Sequence, residues 1–418
     1  MFAQDASSGG LTVTARGLVA ERKAKNWNRA MDYPLIVIVV ALLLIGLMMV
    51  FSASFNLATE IHDDPAYFFI RQVVWLALGG IVLMLLARVE YSQWRRHSIT
   101  LMGLALLMLV IVFFLGAIRF GAQRSLWKGS IQPSEFSKLI IIIYVADWVS
   151  SKGERIKQVT YGLIPFAILI GAVAALIVSQ PDISTAIIIV LTAAVMFFIA
   201  GADVLQLLIG FAFGSAAFAL LISRSPHAWD RVTAYLTTLQ DPYTGSSYQV
   251  REALAALGLG GLTGQGLGMG TQKLQALPLP HTDTIFAVLG EELGLMGTML
   301  VIGLFAALAY RGFKIALEAP DSFGAVLAAG VTFSLLFQAL INIAVVTATL
   351  PFTGIPLPFI SYGGSSMVVS MGSIGILLGV SRGKSKKESR NRARYNLGGR
   401  HGGTRLSRTG RRRGAERR

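Results

Sequence analysis

Four short stretches of the sequence put acids, hydroxyls or a lysine just after a proline and just before an apolar run. They are "IQPSEFSKL" (Ile131–Leu139), "SQPDISTA" (Ser179–Ala186), "PHTDTIF" (Pro280–Phe286) and "PLPFISYGGSS" (Pro356–Ser366). A carboxylate such as Asp283 can take the proton from a hydroxyl as that hydroxyl attacks an electrophile. A helix N-terminus that follows such a segment presents partial positive charge and free N–H groups, which suits an anionic head group such as a diphosphate. Lys138 in the first stretch, with Arg231, Arg251 and Lys273 ahead of the third, would add discrete cations to that clamp. The competing reading is that Ser134, Asp182, Thr282 and Ser365 cap helix starts, where side-chain oxygens accept from orphan N–H groups and proline is common. Both readings stand for Asp182 and Ser365, and Asp283 itself has the helix cap as its rival. Glu291 and Glu292 do not extend the acid site. If Asp283 opens a helix, Glu291 lies about 12 Å deeper and roughly 80° round, and Glu292 faces the opposite side. Both read as intramembrane pairing residues. His281 is a lone imidazole, better suited to positioning Asp283 or touching substrate than to holding a metal.

The elements that must carry these residues are apolar helices. The chain has 418 residues, 54% hydrophobic and 14% charged, against about a quarter charged in ordinary soluble domains. Windows of about 20 apolar residues, the length that crosses the hydrocarbon core, recur ten times: near Pro34–Ser54, Phe68–Ala87, Ile99–Ile118, Pro133–Val149, Tyr161–Ser179, Ile183–Ala200, Val204–Ile222, Thr284–Tyr310, Phe323–Leu350 and Ser366–Val380. The fourth is the weakest, being short and carrying Glu135, Lys138 and Asp147. The fold expected is therefore an all-α polytopic membrane protein of ten transmembrane helices. The organisation expected is a basic N-terminal segment over residues 1–33, a membrane domain over 34–381 and a basic tail over 382–418. The first apolar run is too long and too late for a cleaved signal peptide.

Charge fixes an orientation for those spans. With the N-terminus cytoplasmic, 28 of the 37 Lys and Arg fall in inner segments, the bias that sets membrane topology. Both termini are then cytoplasmic and all four polar stretches lie on the outer side. The connection over residues 223–283 is far longer than joining two helices requires, and lengths like that are functional or disordered. Helical apolar spacing in "AWDRVTAYLTTLQ" and "YQVREALAALGL" favours order there, ahead of the glycine-rich "GLGGLTGQGLGMG". The Arg/Gly/Ser-rich tail reads as disordered and, lying next to the membrane, as a partner for anionic membrane lipids rather than nucleic acid. The chain has no cysteine, which excludes thiol nucleophiles, disulfides and thiolate metal sites.

The same stretches, with "GQGLGMGTQKLQALPLPHTDTIFAVLGEELGLMG" and "TGIPLPFISYGGSS", resemble the signature segments of the SEDS family, the shape, elongation, division and sporulation proteins. The resemblance runs in order from about Asp32 to Arg382, and "GLGMGTQK" is more similar to the division-type FtsW branch than to the elongation-type RodA branch. It implies a ten-helix glycosyltransferase of the bacterial cytoplasmic membrane. Such an enzyme polymerises lipid II into glycan strands beside a class B penicillin-binding protein and other division or elongation proteins. The acid that the family uses for catalysis falls on Asp283. The resemblance further implies cavity roles for Tyr248 and Gln249 in "SYQ", for His281 and Thr282, and for Ser361, Gly363 and Ser365, with Arg231 and Lys138 as candidates for the diphosphate. The chemistry fits a single base. A sugar hydroxyl attacks an anomeric carbon, the carboxylate accepts its proton, and the diphosphate leaves against positive charge. That suffices for inversion without the second carboxylate of retaining glycosidases. No metal ligands are assigned, a divalent cation (Mg or Mn) being the one candidate cofactor. The chain departs from the pattern at Leu279, where a glutamate is usual, at Ser125 and at Ser184. Two rivals come from other classes. A lipid II flippase would suit ten spans with broken helices near Pro181 and Pro356, but it needs charge-lined access on both faces, whereas the inner connection Gly201–Asp203 is very short. A non-catalytic division scaffold would leave Asp283 without a purpose.

Overall fold

The computed structural model describes residues 31–115, 117–119, 122–125, 132–180, 182–224, 226–240, 248–275, 277 and 279–383. The expected basic segment at the N-terminus and the tail after residue 383 lie outside the described residues. Within them the chain is helical, and a helix coincides with each of the ten predicted segments. These are α1 (Tyr33–His62), α2 (Tyr67–Arg88), the short α3 (Tyr91–Arg96), α4 (Ser98–Leu115), α5 (Pro133–Lys152), α6 (Ile164–Val178), α7 (Ile183–Ile199) and α8 (Val204–Arg224). The long connection follows with α9 (Pro226–Gln240), α10 (Tyr248–Gly260) and the single turn α11 (Gln272–Gln275), and the chain closes with α12 (Ile285–Leu317), α13 (Ser322–Val346) and α14 (Gly364–Gly383).

One expectation changes. A two-stranded antiparallel ribbon, β1 (Ala117–Arg119) with β2 (Ala122–Ser125), follows α4, where an unbroken helix to Ile118 was expected. Among the described residues six helical segments are long and apolar enough by themselves to cross a membrane: α1, α2, the run Val159–Val178 that includes α6, α12, α13 and α14. The apolar stretches of α4, α7 and α8 are shorter, and α5 is diluted by its own charged residues. For α5 and α7 the physical reason is burial: a helix screened by its neighbours can be short or polar because it meets protein instead of lipid. α8 differs, with apolar side chains such as Phe211 and Phe213 exposed.

Starts and stops follow local chemistry. Asp32 accepts from the N–H of Leu35 to cap α1, with Pro34 in the first turn, and Asp182 and Asp321 cap α7 and α13 in the same way. Burial grades from α2, with 11% of its span window buried, to α14, with 94%, so α14 is the central post. Its glycines and serines allow that: Gly372 and Gly375 lie against Leu83 and Leu86 of α2, the close approach that small residues give membrane helices.

α12 is not continuous. Gly294 is non-helical at φ 65°, which divides the helix into 285–293 and 295–317. The glycine-rich segment straps the break. Gln265 and Gly266 donate backbone N–H bonds to the carbonyls of Glu291 and Glu292, while Leu295 and Met296 donate to the carbonyls of Gly261 and Leu262. A Cβ on Gly264 would collide with the carbonyl of Glu292, so only glycine lets the two backbones meet. Glu291 and Glu292 both serve this strap, the structural pairing role expected of them. Glu291 accepts from the N–H groups of Thr271 and Gln272, at 2.6 and 3.1 Å. Glu292 takes Lys273 Nζ at 2.6 Å and the Ser52 hydroxyl of α1. Lys273 is thereby a buried structural cation, not the free one expected for a diphosphate.

Candidate active site

Asp283 stands in the turn before α12. The helix begins after Thr284, which occupies the cap position and makes no side-chain cap bond. The Asp283 carboxylate is half-buried. Its Oδ1 accepts from Thr282 Oγ1 at 2.8 Å, and the backbone N–H of Thr282 is held in turn on the carbonyl of Leu279. Its main-chain carbonyl accepts from Asn342 Nδ2 of α13 at 2.7 Å. Gly354, at φ 70°, turns its bare face to the carboxylate, and an added Cβ there would stand 3.6 Å from Oδ2.

Behind Gly354 opens a polar cavity of about 90 Å³, lined among others by Gln132, Glu135, Lys138, Asp182, Ser184 and Thr353. The first two polar stretches meet here. Asp182 caps α7 with one oxygen, and with the other accepts from Gln132 Nε2 at 3.0 Å and Ser134 Oγ at 2.9 Å. Capping and lining the cavity are thus one arrangement, not alternatives. Lys138 is 4% exposed, ion-paired to Glu135 at 2.9 Å and donating to Gln338 Oε1 at 2.7 Å. An ammonium carries three N–H donors, so one remains for an oxygen inside the cavity.

The fourth stretch closes the other side. Tyr362 donates its N–H to the carbonyl of His281, Ser361 Oγ accepts from the N–H of Leu357, and Gln72 of α2 holds the Ser361 carbonyl. Gly363 accepts from the N–H of Met367 in the first turn of α14, and Ser365 is buried in that helix. His281 is 2% exposed between Phe68 and Tyr362, with ring centroids 4.5 and 5.3 Å away. Burial lowers its pKa from 6.5 to about 4, because desolvation disfavours the imidazolium. It is therefore a neutral wedge between α2 and the loop that carries Tyr362, and adds no charge to an anion site near neutral pH. Tyr248 and Gln249 sit at the start of α10, where the exposed Tyr248 ring carries the Arg251 guanidinium at 5.3 Å. Arg231 lies on α9, with its side chain outside the described residues.

Sequence reading missed Asn342 and Gln338. Both are amides within an apolar span, four residues apart and so on one helix face, and that spacing is the signal that was present. Among the described residues no three His, Cys, Asp or Glu side chains gather into a metal site.

The FtsW/RodA/SpoVE family model, described as "Cell cycle protein", matches residues 33–386. The chain belongs to this family. It is 41% identical over 355 residues to stage V sporulation protein E of Bacillus subtilis, covering 84% of this chain and 97% of that one. It is 38% identical over 361 residues to a probable peptidoglycan glycosyltransferase FtsW of Trichlorobacter lovleyi, covering 84% and 93%. Among solved structures, a chain from work on the structural coordination of polymerization and crosslinking by a peptidoglycan synthase complex superposes with a TM-score of 0.70. That match has 27% identity and covers 85% of this chain and 99% of that one. A helical, multi-pass membrane protein of this family is thus what the sequence encodes.

Proposed function

We propose that this chain is a membrane-embedded peptidoglycan glycosyltransferase that polymerises lipid II on the extracytoplasmic side of the bacterial cytoplasmic membrane, with both termini cytoplasmic. The observation that carries the reading is the juxtaposition of Asp283, half-buried and held by Thr282, with a polar cavity containing Lys138. The relatives named as peptidoglycan glycosyltransferases support it.

In the step this geometry serves, a sugar hydroxyl of one lipid-linked glycan attacks the anomeric carbon of another. The new C–O bond forms as the bond to the diphosphate breaks, and that bond's electron pair leaves with the diphosphate. The hydroxyl proton passes to Asp283. The spare N–H of Lys138 and the helix starts at Pro133 and Ile183 offset the charge on the leaving group. Attack opposite the leaving group inverts the anomeric centre, with one carboxylate sufficient. The match to a synthase complex that couples polymerization with crosslinking supports a class B penicillin-binding protein as partner, and the FtsW-named relatives support a division role.

Asp283→Asn tests the base. It keeps the shape and the oxygen that accepts from Thr282 but cannot take a proton, so polymer formation from labelled lipid II should fall by about 10²–10⁴. Thermal stability and lipid II binding should be retained. Polymerisation at the wild-type rate would remove the assignment, and wild-type protein that flips lipid II in vesicles without ever polymerising it would favour a transporter.

A further inference from the structure

We propose that Asn342 is a positioning residue that sets where the Asp283 carboxylate stands, so that its loss lowers turnover without weakening substrate binding. The proposal rests on the reading of Asp283 as the base. Asp283 and Gly354 both lie in irregular backbone, at residues 279–284 and 347–363 between helices. Inside a helix bundle such backbone keeps its polar groups only where protein supplies the partners. One side chain supplies them for both segments. Asn342, 1% exposed on α13, donates Nδ2–H to the carbonyl of Asp283 and to the carbonyl of Ile355, each at 2.7 Å. Both partners are carbonyl oxygens, so the amide has only one workable orientation.

That orientation leaves Oδ1 buried with no hydrogen-bond partner. A buried acceptor without a donor is unfavourable, whereas an apolar residue would incur no such penalty, and Ala339, Val345 and Val346 around it are apolar and buried. The polar side chain is therefore retained for its two donated bonds. One turn earlier Gln338 repeats the pattern: Nε2 donates to the carbonyl of Pro356 at 3.0 Å, while Oε1 accepts from Lys138. α13 thus measures off the catalytic loop, the Gly354 loop and the cavity lysine from one rigid face. Asp283 precedes the first turn of its own helix, so α12 alone does not fix it. Asn342 is what ties its main chain to the wall that its carboxylate faces.

A displacement of about 1 Å at a reacting group can cost about 10²-fold in rate, and that is the loss expected for Asn342→Leu, which fills the site but cannot donate. The experiment uses the full-length purified protein with lipid II, with Asp283→Asn alongside. For Asn342→Leu, kcat should fall about 10²-fold while KM and lipid II binding stay within about twofold. Asn342→Asp should lose as much at neutral pH, where its carboxylate faces two carbonyls. Relative to wild type it should recover as pH falls, because the protonated acid regains one donor, and Asn342→Leu should show no such recovery. This pH signature decides the matter even if Asn342→Leu fails to fold. Wild-type kcat in Asn342→Leu, or a flat relative pH profile in Asn342→Asp, overturns the proposal while an inactive Asp283→Asn leaves the base in place. An active Asp283→Asn removes both.

Discussion

Asp283 owes its candidacy to what surrounds it: a threonine on one oxygen, a bare glycine facing the other and an asparagine on its carbonyl. The acid was legible because "HTD" between a proline-broken loop and an apolar run is unusual chemistry for a membrane edge. The asparagine was not, because one amide in an apolar span reads equally well as glue between helices. His281 offers a sharp test at this scale. Its pKa is about 4 folded and 6.5 in the unfolded chain. Between those values the unfolded state binds more protons, so the stability is fully present above 6.5 and is lost as pH falls towards 4. Going from about pH 7 to about pH 5, the wild type should lose about 2 kcal/mol that His281→Phe, stacked in the same slot, does not lose. Thermal midpoints of the two proteins across that range measure the difference, and parallel pH profiles would count against it.

The ordering of the long connection follows from how α12 is built. Apolar periodicity located its helices, and glycines in "GLGGLTGQGLGMG" announced a close backbone approach. Periodicity does not say what is approached, however, so the break at Gly294 and its strap came only from the structure. The strap is fastened to α1 through Lys273, Glu292 and Ser52. Breaking a buried pair from one side strands a charge, which typically costs about 3–5 kcal/mol. Lys273→Met and Glu292→Gln should each destabilise the folded protein on that order. The double variant should lose less than the sum, because neither charge remains to be stranded. Unfolding midpoints for the four proteins of this cycle give the coupling, and strict additivity would mean that the pair is not a unit.

Across the whole molecule, Lys138 and Lys273 are ion-paired in the half that holds Asp283, and a second set of basic residues collects at the end away from it. Arg311 pairs there with Asp32, Arg95 with Asp147, and Arg382 holds the Ala87 carbonyl. The charge bias in the sequence carried the placing of those basic residues, whereas burial inside the bundle, which excuses α5 and α7 from the lipid criteria, was beyond it. Because the native chain has no cysteine, Ser246→Cys and Ser385→Cys report topology without background. An impermeant maleimide applied outside should label the first and spare the second, and the reverse pattern would remove the proposed orientation. The break in α12 has a further consequence for how the protein is made. The uncharged portion over residues 295–310, which ends at Arg311, is about 24 Å of helix at 1.5 Å per residue, short of a hydrocarbon core of about 30 Å. The half-helix over residues 285–293 therefore has to enter the membrane with it, so Glu291 and Glu292 take part in the partitioning and depend on the strap and Lys273 to offset their cost. Substitutions over residues 285–293 are accordingly exposed to a penalty in biogenesis as well as in the folded state.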